Sequence, residues 1–213
     1  MRLRRNQLPL STPHSWDARP RRKQFQQVRG ARFRSGELTF TEQRRERTRR
    51  FLSHIGHDTS AMSDHEASAW SAEYEAHRNA AWAAFPDAEP VLRKLARDYR
   101  LGIVSNSSVD HQRGKLHAIG LLPYFSTALV CSDQHGAAKP APSIFLAGCA
   151  SLGLQPHEVA YVGDKYTLDA VGAHDAGLHP YWLDRANTNS GQGTTDGIRV
   201  SHSLVELPPA LIS

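Results

Sequence analysis

Short apolar segments alternate with helical segments from residue 86 onward, and this alternation constrains the fold more than any other feature. Four apolar runs predict strands: LGIVS (101–105), TALVC (127–131), VAYVG (159–163) and HPYWLD (179–184). Helices are predicted between them, as in the segment SIFLAGCASLG, which begins beside Pro142. Strands that alternate with helices indicate an α/β fold built around a parallel sheet.

Polar residues follow three of the predicted strands at the point where each strand ends. Ser105 and Asn106 end the first strand, Lys139 lies in the loop AAKPAP after the second, and Asp164 and Asp169 follow the third. Ligands of open α/β sheets bind at the carboxyl ends of the strands. We therefore expect these three loops to converge on one binding site.

The residue types at these loops suit phosphate and a divalent cation, although each has an ordinary structural alternative. Two carboxylates, Asp164 and Asp169, match the oxygen ligands of Mg²⁺, but Asp169 also suits a plain helix start. Lys139, which is followed by Pro140 and Pro142, can stabilise charge on a transferring phosphoryl group or can simply be solvated. Ser105 and Asn106 can offer a hydroxyl and backbone N–H groups to phosphate, or this segment can merely cap a helix.

The three loops together resemble motifs II, III and IV of the haloacid dehalogenase-like (HAD) hydrolase superfamily. The similar segments are GIVSN, AAKPAPSIF and VGDKYTLDAVGAHDAGL, in that order. The resemblance covers roughly residues 31–213 and implies a Rossmann-like core, an inserted α-helical cap and Mg²⁺-dependent hydrolysis of small phosphomonoesters. It also implies roles for the matching residues: Ser105 and Asn106 bind the phosphoryl group, Lys139 stabilises it, and Asp164 and Asp169 hold the metal.

The predicted domains follow the change in pattern along the chain. Residues 1–30 show no apolar periodicity, and we expect a disordered basic leader that matches no family motif. Residues 31–85 are predicted to form the helical cap, because two capping boxes open helices there, at Thr39 and at Ser63. In the second helix we expect Trp70 and Tyr74, with His77 and Ala81, to form a buried face. Residues 86–213 are the predicted α/β core, in which Asp87 is expected to cap the first helix.

The family's first motif, an apolar strand followed by D-x-D-x-T, has no match in this sequence. No D-x-D occurs before residue 51, and Asp17 follows no apolar strand. The first core strand is therefore expected to be absent, and because strands lie about 4.8 Å apart, its neighbours would face a gap of about 10 Å. One hypothesis is a shifted reading frame or a misassigned start. Translating the overlapping DNA in the other frames tests it.

Charge is unevenly distributed, although the net charge is only +5. Residues 1–50 hold 15 Lys and Arg against 4 Asp and Glu, and residues 51–213 hold 11 against 17. A block of arginines can neutralise nucleic-acid phosphates, but no stacking aromatics are interleaved with it, so we expect a solvated helix rather than a nucleic-acid interface. Two cysteines without a CxxC motif, and no signal or membrane segment, predict a cytoplasmic protein without disulfides.

The predicted function is therefore a HAD-like hydrolase, most simply a Mg²⁺-dependent phosphatase of a small phosphorylated metabolite. Two alternatives remain. Without a nucleophile motif the chain can be an inactive relic that only binds phosphate. A 2-haloacid dehalogenase-like hydrolase shares the implied fold but needs no metal.

Overall fold

The computed structural model describes residues 39–188 and 194–207, so the prediction for the leader lies outside the described residues. The described elements begin with two helices and continue as an α/β unit. In chain order they are α1 (Phe40–His54), α2 (Asp64–Ala80), α3 (Ala88–Leu95), β1 (Ile103–Ser105), α4 (Val109–Ala118), β2 (Leu129–Cys131), α5 (Ser132–His135), α6 (Pro142–Leu152), β3 (Ala160–Gly163), a π-helical turn (Tyr166–Val171), α7 (Gly172–Asp175), β4 (His179–Leu183) and β5 (Arg199–Ser201).

The five described strands form two parallel sheets. One sheet pairs β1 with β2, and the other has the order β3-β4-β5. Each of the four apolar runs contains one of the strands, and β5 lies in the IRVS segment. The predicted α/β class with a parallel sheet is therefore confirmed. Within residues 39–188 and 194–207, β1 pairs only with β2, and β3 pairs only with β4.

The core packs α6 against the strands of both sheets. Ile144 and Phe145 on this helix are fully buried, and Val104 and Tyr161 are among the partly buried side chains around them. Gly148 allows the closest approach, because a Cβ there would lie 2.6 Å from Val104 Cγ2. Pro142 occupies the first turn of α6, as its fixed φ favours.

Helices α1 and α2 pack against each other and account for most of the predicted cap segment. Both predicted capping boxes are present: Thr39 and Glu42 exchange hydrogen bonds at the start of α1, and Ser63 and Glu66 do so before α2. Each box satisfies backbone N–H groups that would otherwise lack a partner at a helix start. None of the helices in the described ranges combines the length and apolar character that crossing a bilayer requires.

The predicted buried face of α2 is wrong. Trp70 and Tyr74 are 41% and 51% exposed, and His77 and Ala81 are exposed as well. The buried residues of this helix are instead Ala67 and Ser71. These small side chains let α1 approach closely, so the aromatic periodicity lies on a side of α2 that does not face α1.

Arginines of α1 cover the polar side of this helix pair. Arg44 Nε donates to Ser71 Oγ over 3.4 Å, Arg45 Nε donates to Ser68 Oγ over 2.8 Å, and Arg44 also pairs with Glu75. The expectation of a simply solvated arginine helix is therefore wrong for these positions, because both arginines bind α2.

Asp87 does not cap α3 as predicted, since its side chain makes no hydrogen bond to that helix start. It binds the other end of the core instead: Arg185 Nη2 donates to Oδ1 over 2.8 Å, while Ser203 Oγ and the Leu204 N–H donate to Oδ2, each over 3.0 Å. The Arg185 guanidinium, with the other donors, holds the pKa of this carboxyl below its usual value. One carboxylate thus joins α3 to segments about a hundred residues later.

We predict that Asp87→Asn lowers the free energy of unfolding at pH 7 by about 2 kcal/mol, because a charged acceptor of three hydrogen bonds is lost. The pKa of the Asp87 carboxyl is lower in the folded state than in the unfolded state. Its contribution to the free energy of unfolding is therefore complete above the unfolded pKa of about 4, and it is lost as the pH falls from there toward the folded pKa. Urea unfolding across this range measures it. The variant should lose less stability than the wild type on acidification.

Asp98→Asn is the matched control, because Asp98 is exposed and lies just after the same helix. It should leave the acid dependence of stability unchanged. Equal acid dependence in wild type and Asp87→Asn would show that Asp87 does not carry this linkage.

Candidate functional site

Three of the predicted site residues, Asn106, Lys139 and Asp169, are joined by direct contacts near the carboxyl ends of the parallel strands. Ser105 is the last residue of β1, and Lys139 lies in the loop between α5 and α6, after β2. Asp164 follows β3 directly, and Asp169 lies in the π-helical turn beyond it. Such π-helical turns are rare and occur frequently at functional sites.

Lys139 and Asp169 form an ion pair at the centre of this group. Lys139 Nζ lies 2.7 Å from Asp169 Oδ1, and the two side chains are only 14% and 5% exposed. Removing two charges from water is unfavourable unless their other donors and acceptors are satisfied. The surrounding hydrogen bonds meet that condition.

Tyr161 supplies one of these hydrogen bonds, and sequence reasoning did not identify it. Lys139 Nζ donates to the Tyr161 hydroxyl over 2.9 Å, and this hydroxyl lies 3.3 Å from Asp169 Oδ1 and 3.4 Å from the Val104 carbonyl. Burial, reinforced by the Asp169 carboxylate, raises the pKa of Tyr161 well above its usual value, so the phenol keeps its proton. The sequence feature that could have identified Tyr161 was a tyrosine within a predicted strand, because a buried tyrosine hydroxyl needs a hydrogen-bond partner.

Asn106 fixes the backbone of Lys139. The Lys139 N–H donates to Asn106 Oδ1 over 2.6 Å, and Asn106 Nδ2 donates back to the Lys139 carbonyl over 3.0 Å. The Lys139–Pro140 peptide is cis. Because the Asn106 amide is engaged here, any phosphate contact by this residue falls to its backbone N–H. Nothing in the sequence indicated this reciprocal pair.

Gly163 makes room for Asp169. A Cβ at Gly163 would lie 2.8 Å from Asp169 Oδ2 and closer still to the Asp169 Cβ. The same Oδ2 accepts the Lys165 N–H over 2.9 Å. Both carboxylate oxygens of Asp169 are therefore held, one by Lys139 and one by the backbone.

Asp164 has a different environment from Asp169. Its carboxylate is 67% exposed and its ion pair with Lys165 Nζ, at 2.7 Å, is exposed as well, so the pair adds little stability. Trp182 Nε1 donates to the Asp164 carbonyl over 3.3 Å, which fixes the backbone and leaves the side chain open. Asp164 is thus the accessible carboxylate of the site.

Ser105, at the end of β1, and Ser108, before α4, differ in their hydrogen bonds. Ser108 caps α4 by accepting the His111 N–H over 3.3 Å. Ser105 does not cap the helix, and its hydroxyl has no hydrogen-bond partner among the described residues. Its availability is compatible with phosphate binding.

Two carboxylates are a sufficient protein donor set for Mg²⁺, which commonly takes one or two of them and fills its shell with water and phosphate oxygens. The open carboxylate of Asp164 fits that pattern, whereas Asp169 is the less accessible ligand because both of its oxygens already accept hydrogen bonds. Within the described ranges, no group of three or more His, Cys, Asp or Glu side chains is placed to hold a metal ion.

The family is decided by comparison with known proteins. The model of the haloacid dehalogenase-like hydrolases matches residues 10–177. The chain belongs to this family. The predicted resemblance is thereby confirmed, and the matched range begins within residues 1–30, where sequence inspection found no family motif.

Several curated relatives of this HAD-like hydrolase are named phosphatases. The phosphoserine phosphatase of Thermus thermophilus is 37% identical over 102 residues, which cover 47% of this chain and 41% of the relative. The human N-acylneuraminate-9-phosphatase is 32% identical over 128 residues, which cover 60% and 51% respectively. The chain thus spans about half the length or less of these two relatives.

Solved structures share the fold. The Bacillus subtilis protein YfnB, solved bound to magnesium, superposes with a TM-score of 0.74 at 21% identity, covering 94% of this chain and 85% of YfnB. A 2-haloacid dehalogenase from Pseudomonas syringae gives a TM-score of 0.62 at 23% identity, covering 96% and 82%. At these identities the likeness confirms the HAD core fold, but it does not distinguish between the reactions of these proteins.

We predict that Gly163→Ala displaces Asp169 and breaks its bond to Lys139, because the new methyl group needs the volume that the aspartate side chain fills. Overpacking of this kind lowers the free energy of unfolding by about 1–3 kcal/mol. Thermal unfolding measures the loss, and a crystal structure of the variant shows the displacement.

Gly114→Ala is the control. A Cβ at this position in α4 meets nothing within 4 Å, so the variant should be as stable as wild type or gain up to about 1 kcal/mol. Unchanged stability in Gly163→Ala would contradict the close approach.

Proposed function

We propose that this HAD-like hydrolase binds small phosphomonoesters at the carboxyl ends of β1 and β3 and hydrolyses them with Mg²⁺. The observation that carries the proposal is the buried ammonium of Lys139, which is held by Asp169 and Tyr161, while the loop after β3 carries the open carboxylate of Asp164. A fixed positive charge favours the charge that develops on a transferring phosphoryl group, because it needs no reorganisation during the reaction.

Each residue has a distinct proposed role. The Ser105 hydroxyl and the Asn106 N–H bind phosphoryl oxygens, while the Asn106 amide positions Lys139. Asp164, with Asp169, holds Mg²⁺, which would neutralise phosphate charge when bound. The described residues supply no assigned nucleophile, and the sequence holds no D-x-D before residue 51. The bond-breaking step is therefore not attributed to a residue.

The substrate class rests on the relatives, which are phosphatases of phosphoserine, of a sialic-acid phosphate and of glyceraldehyde 3-phosphate. Their substrates share a phosphate ester on a small polar molecule. We propose the same class here, acted on in the cytoplasm, with α1 and α2 as the cap that selects among such molecules.

A phosphate-binding protein without turnover is the second candidate. It is favoured by the sequence before residue 51, which lacks a paired aspartate, whereas the described site retains Lys139, Asp164 and Asp169. A 2-haloacid dehalogenase has weaker support, because two solved 2-haloacid dehalogenases are 23% and 21% identical to this chain, a likeness that shows the fold alone.

We predict that the full chain binds inorganic phosphate in the presence of Mg²⁺, and that Lys139→Met weakens binding at least tenfold, because the fixed ammonium is lost. Isothermal titration measures the affinity. Lys94→Met is the matched control, since Lys94 is an exposed lysine on α3, and it should bind as wild type does. Circular dichroism checks that both variants remain folded.

Turnover separates the candidates. Phosphate release from a phosphomonoester panel, lost with EDTA and reduced by Asp164→Ala, supports the phosphatase. Phosphate binding without release supports the binding protein, and halide release from a 2-haloacid in EDTA supports the dehalogenase. Absence of both binding and turnover would reject the phosphate site.

A further inference from the structure

The ring of Tyr161 is fixed in the core, and this packing does not involve its hydroxyl group. The residue lies on β3, and its ring meets the ring of Phe145 edge-on, with centroids 5.0 Å apart and planes at 76°. Phe145 is fully buried on α6, in the cluster that packs against both sheets. Edge-to-face packing of this kind is favourable beyond the area that it buries. Loss of the hydroxyl alone would therefore leave the ring in place.

The hydroxyl of Tyr161 has a defined pattern of donors and acceptors around it. Its three neighbours are Lys139 Nζ at 2.9 Å, Asp169 Oδ1 at 3.3 Å and the Val104 carbonyl at 3.4 Å. An ammonium only donates hydrogen bonds, whereas an ionised carboxylate and a carbonyl only accept them. The hydroxyl oxygen therefore accepts a hydrogen bond from Lys139, and its own proton is directed toward Asp169 or Val104.

These contacts restrict the direction of the Lys139 ammonium. A lysine side chain is a flexible stem with three donors at its end, and a single acceptor would let the ammonium turn about that one hydrogen bond. Here the described residues provide two acceptors, Asp169 Oδ1 at 2.7 Å and the Tyr161 hydroxyl at 2.9 Å. Asn106 holds the backbone of Lys139, so both ends of the lysine side chain are held. The direction of the third N–H is then fixed as well.

Tyr161 provides the second acceptor without adding a second negative charge. Asp169 already offsets the charge of Lys139 over 2.7 Å, and another carboxylate beside this pair would repel a phosphate. Burial raises the pKa of the Tyr161 phenol well above its usual value, so the group stays neutral. A neutral acceptor thus orients the ammonium and leaves the local charge suited to an anion.

We propose that Tyr161 is a positioning residue for phosphate binding: its hydroxyl holds the Lys139 ammonium against Asp169 and directs the third N–H of that ammonium toward the bound anion. Tyr161 does not touch the phosphate itself and acts through Lys139. This inference rests on the proposed function, because it takes Lys139 as a group that binds phosphate. It adds a residue of β3 for which the family resemblance implied no role.

The test compares the phosphate affinity of the full chain with that of Tyr161→Phe, which keeps the ring and removes only the hydroxyl. Isothermal titration with inorganic phosphate and Mg²⁺ should show binding about tenfold weaker in the variant, because a hydrogen bond to a charged group contributes on that order. Tyr124→Phe is the matched control, since the Tyr124 hydroxyl donates to Glu89 on α3 over 3.0 Å. This control should bind phosphate as the wild type does.

A double-mutant cycle distinguishes positioning through Lys139 from a general structural effect. In the Lys139→Met background, Tyr161→Phe should change the phosphate affinity by less than about twofold, because the hydroxyl then has no ammonium to orient. Additive losses would contradict the proposal, and so would a Tyr161→Phe variant that binds as tightly as the wild type. Either result leaves the proposed function intact, because the wild type still binds phosphate. A wild type that does not bind phosphate would reject the proposed function and this inference together.

A measurement on the wild type applies even where Tyr161→Phe does not fold. In protein whose tyrosines carry carbon-13 at Cζ, the resonance of Tyr161 should shift as phosphate saturates the chain, because the anion and the hydroxyl share the same ammonium. Phe variants of the other tyrosines, made one at a time, assign the resonance by elimination. An unchanged Tyr161 resonance at saturating phosphate would overturn the proposal.

Discussion

The ion pair between Lys139 and Asp169 connects two halves of the core that share no backbone hydrogen bonds in the described strands. Lys139 follows β2 in one sheet, and Asp169 follows β3 in the other. A buried pair is favourable only when hydrogen bonds satisfy its remaining groups, and here Tyr161 and the Lys165 N–H do so. The site geometry therefore depends on the same contact that relates the two sheets.

The strands and capping boxes could be predicted because their signals are local. Apolar runs of four or five residues, a proline at a first helical turn and a Thr39–Glu42 spacing each specify structure within a few residues. The contact of the loops that carry Asn106, Lys139 and Asp169 could also be predicted, because parallel strands bring their carboxyl ends to one edge.

The missed features all depend on partners distant in the sequence. Asn106 holds Lys139 across 33 residues, and Asp87 holds Ser203 across 116. No local pattern specifies such pairs. The prediction of a buried aromatic face on α2 was wrong for a related reason. A period of 3.6 residues shows that one side of a helix is apolar, but the neighbouring helix decides which side is buried. Here the small residues Ala67 and Ser71, rather than Trp70, meet α1.

The arginines of residues 1–50 also have partners that the sequence did not indicate. In sequence, residues 1–50 carry enough arginine to suggest a polyanion partner, yet within α1 Arg44 binds Ser71 and Glu75, and Arg45 binds Ser68 and Asp64. Charges already paired at a helix interface are poorly placed to neutralise phosphates, because binding would first require breaking those contacts. Within the described site, the positive charge that can meet a phosphate is the ammonium of Lys139, and its effect there comes from burial and a fixed position rather than from the number of charges.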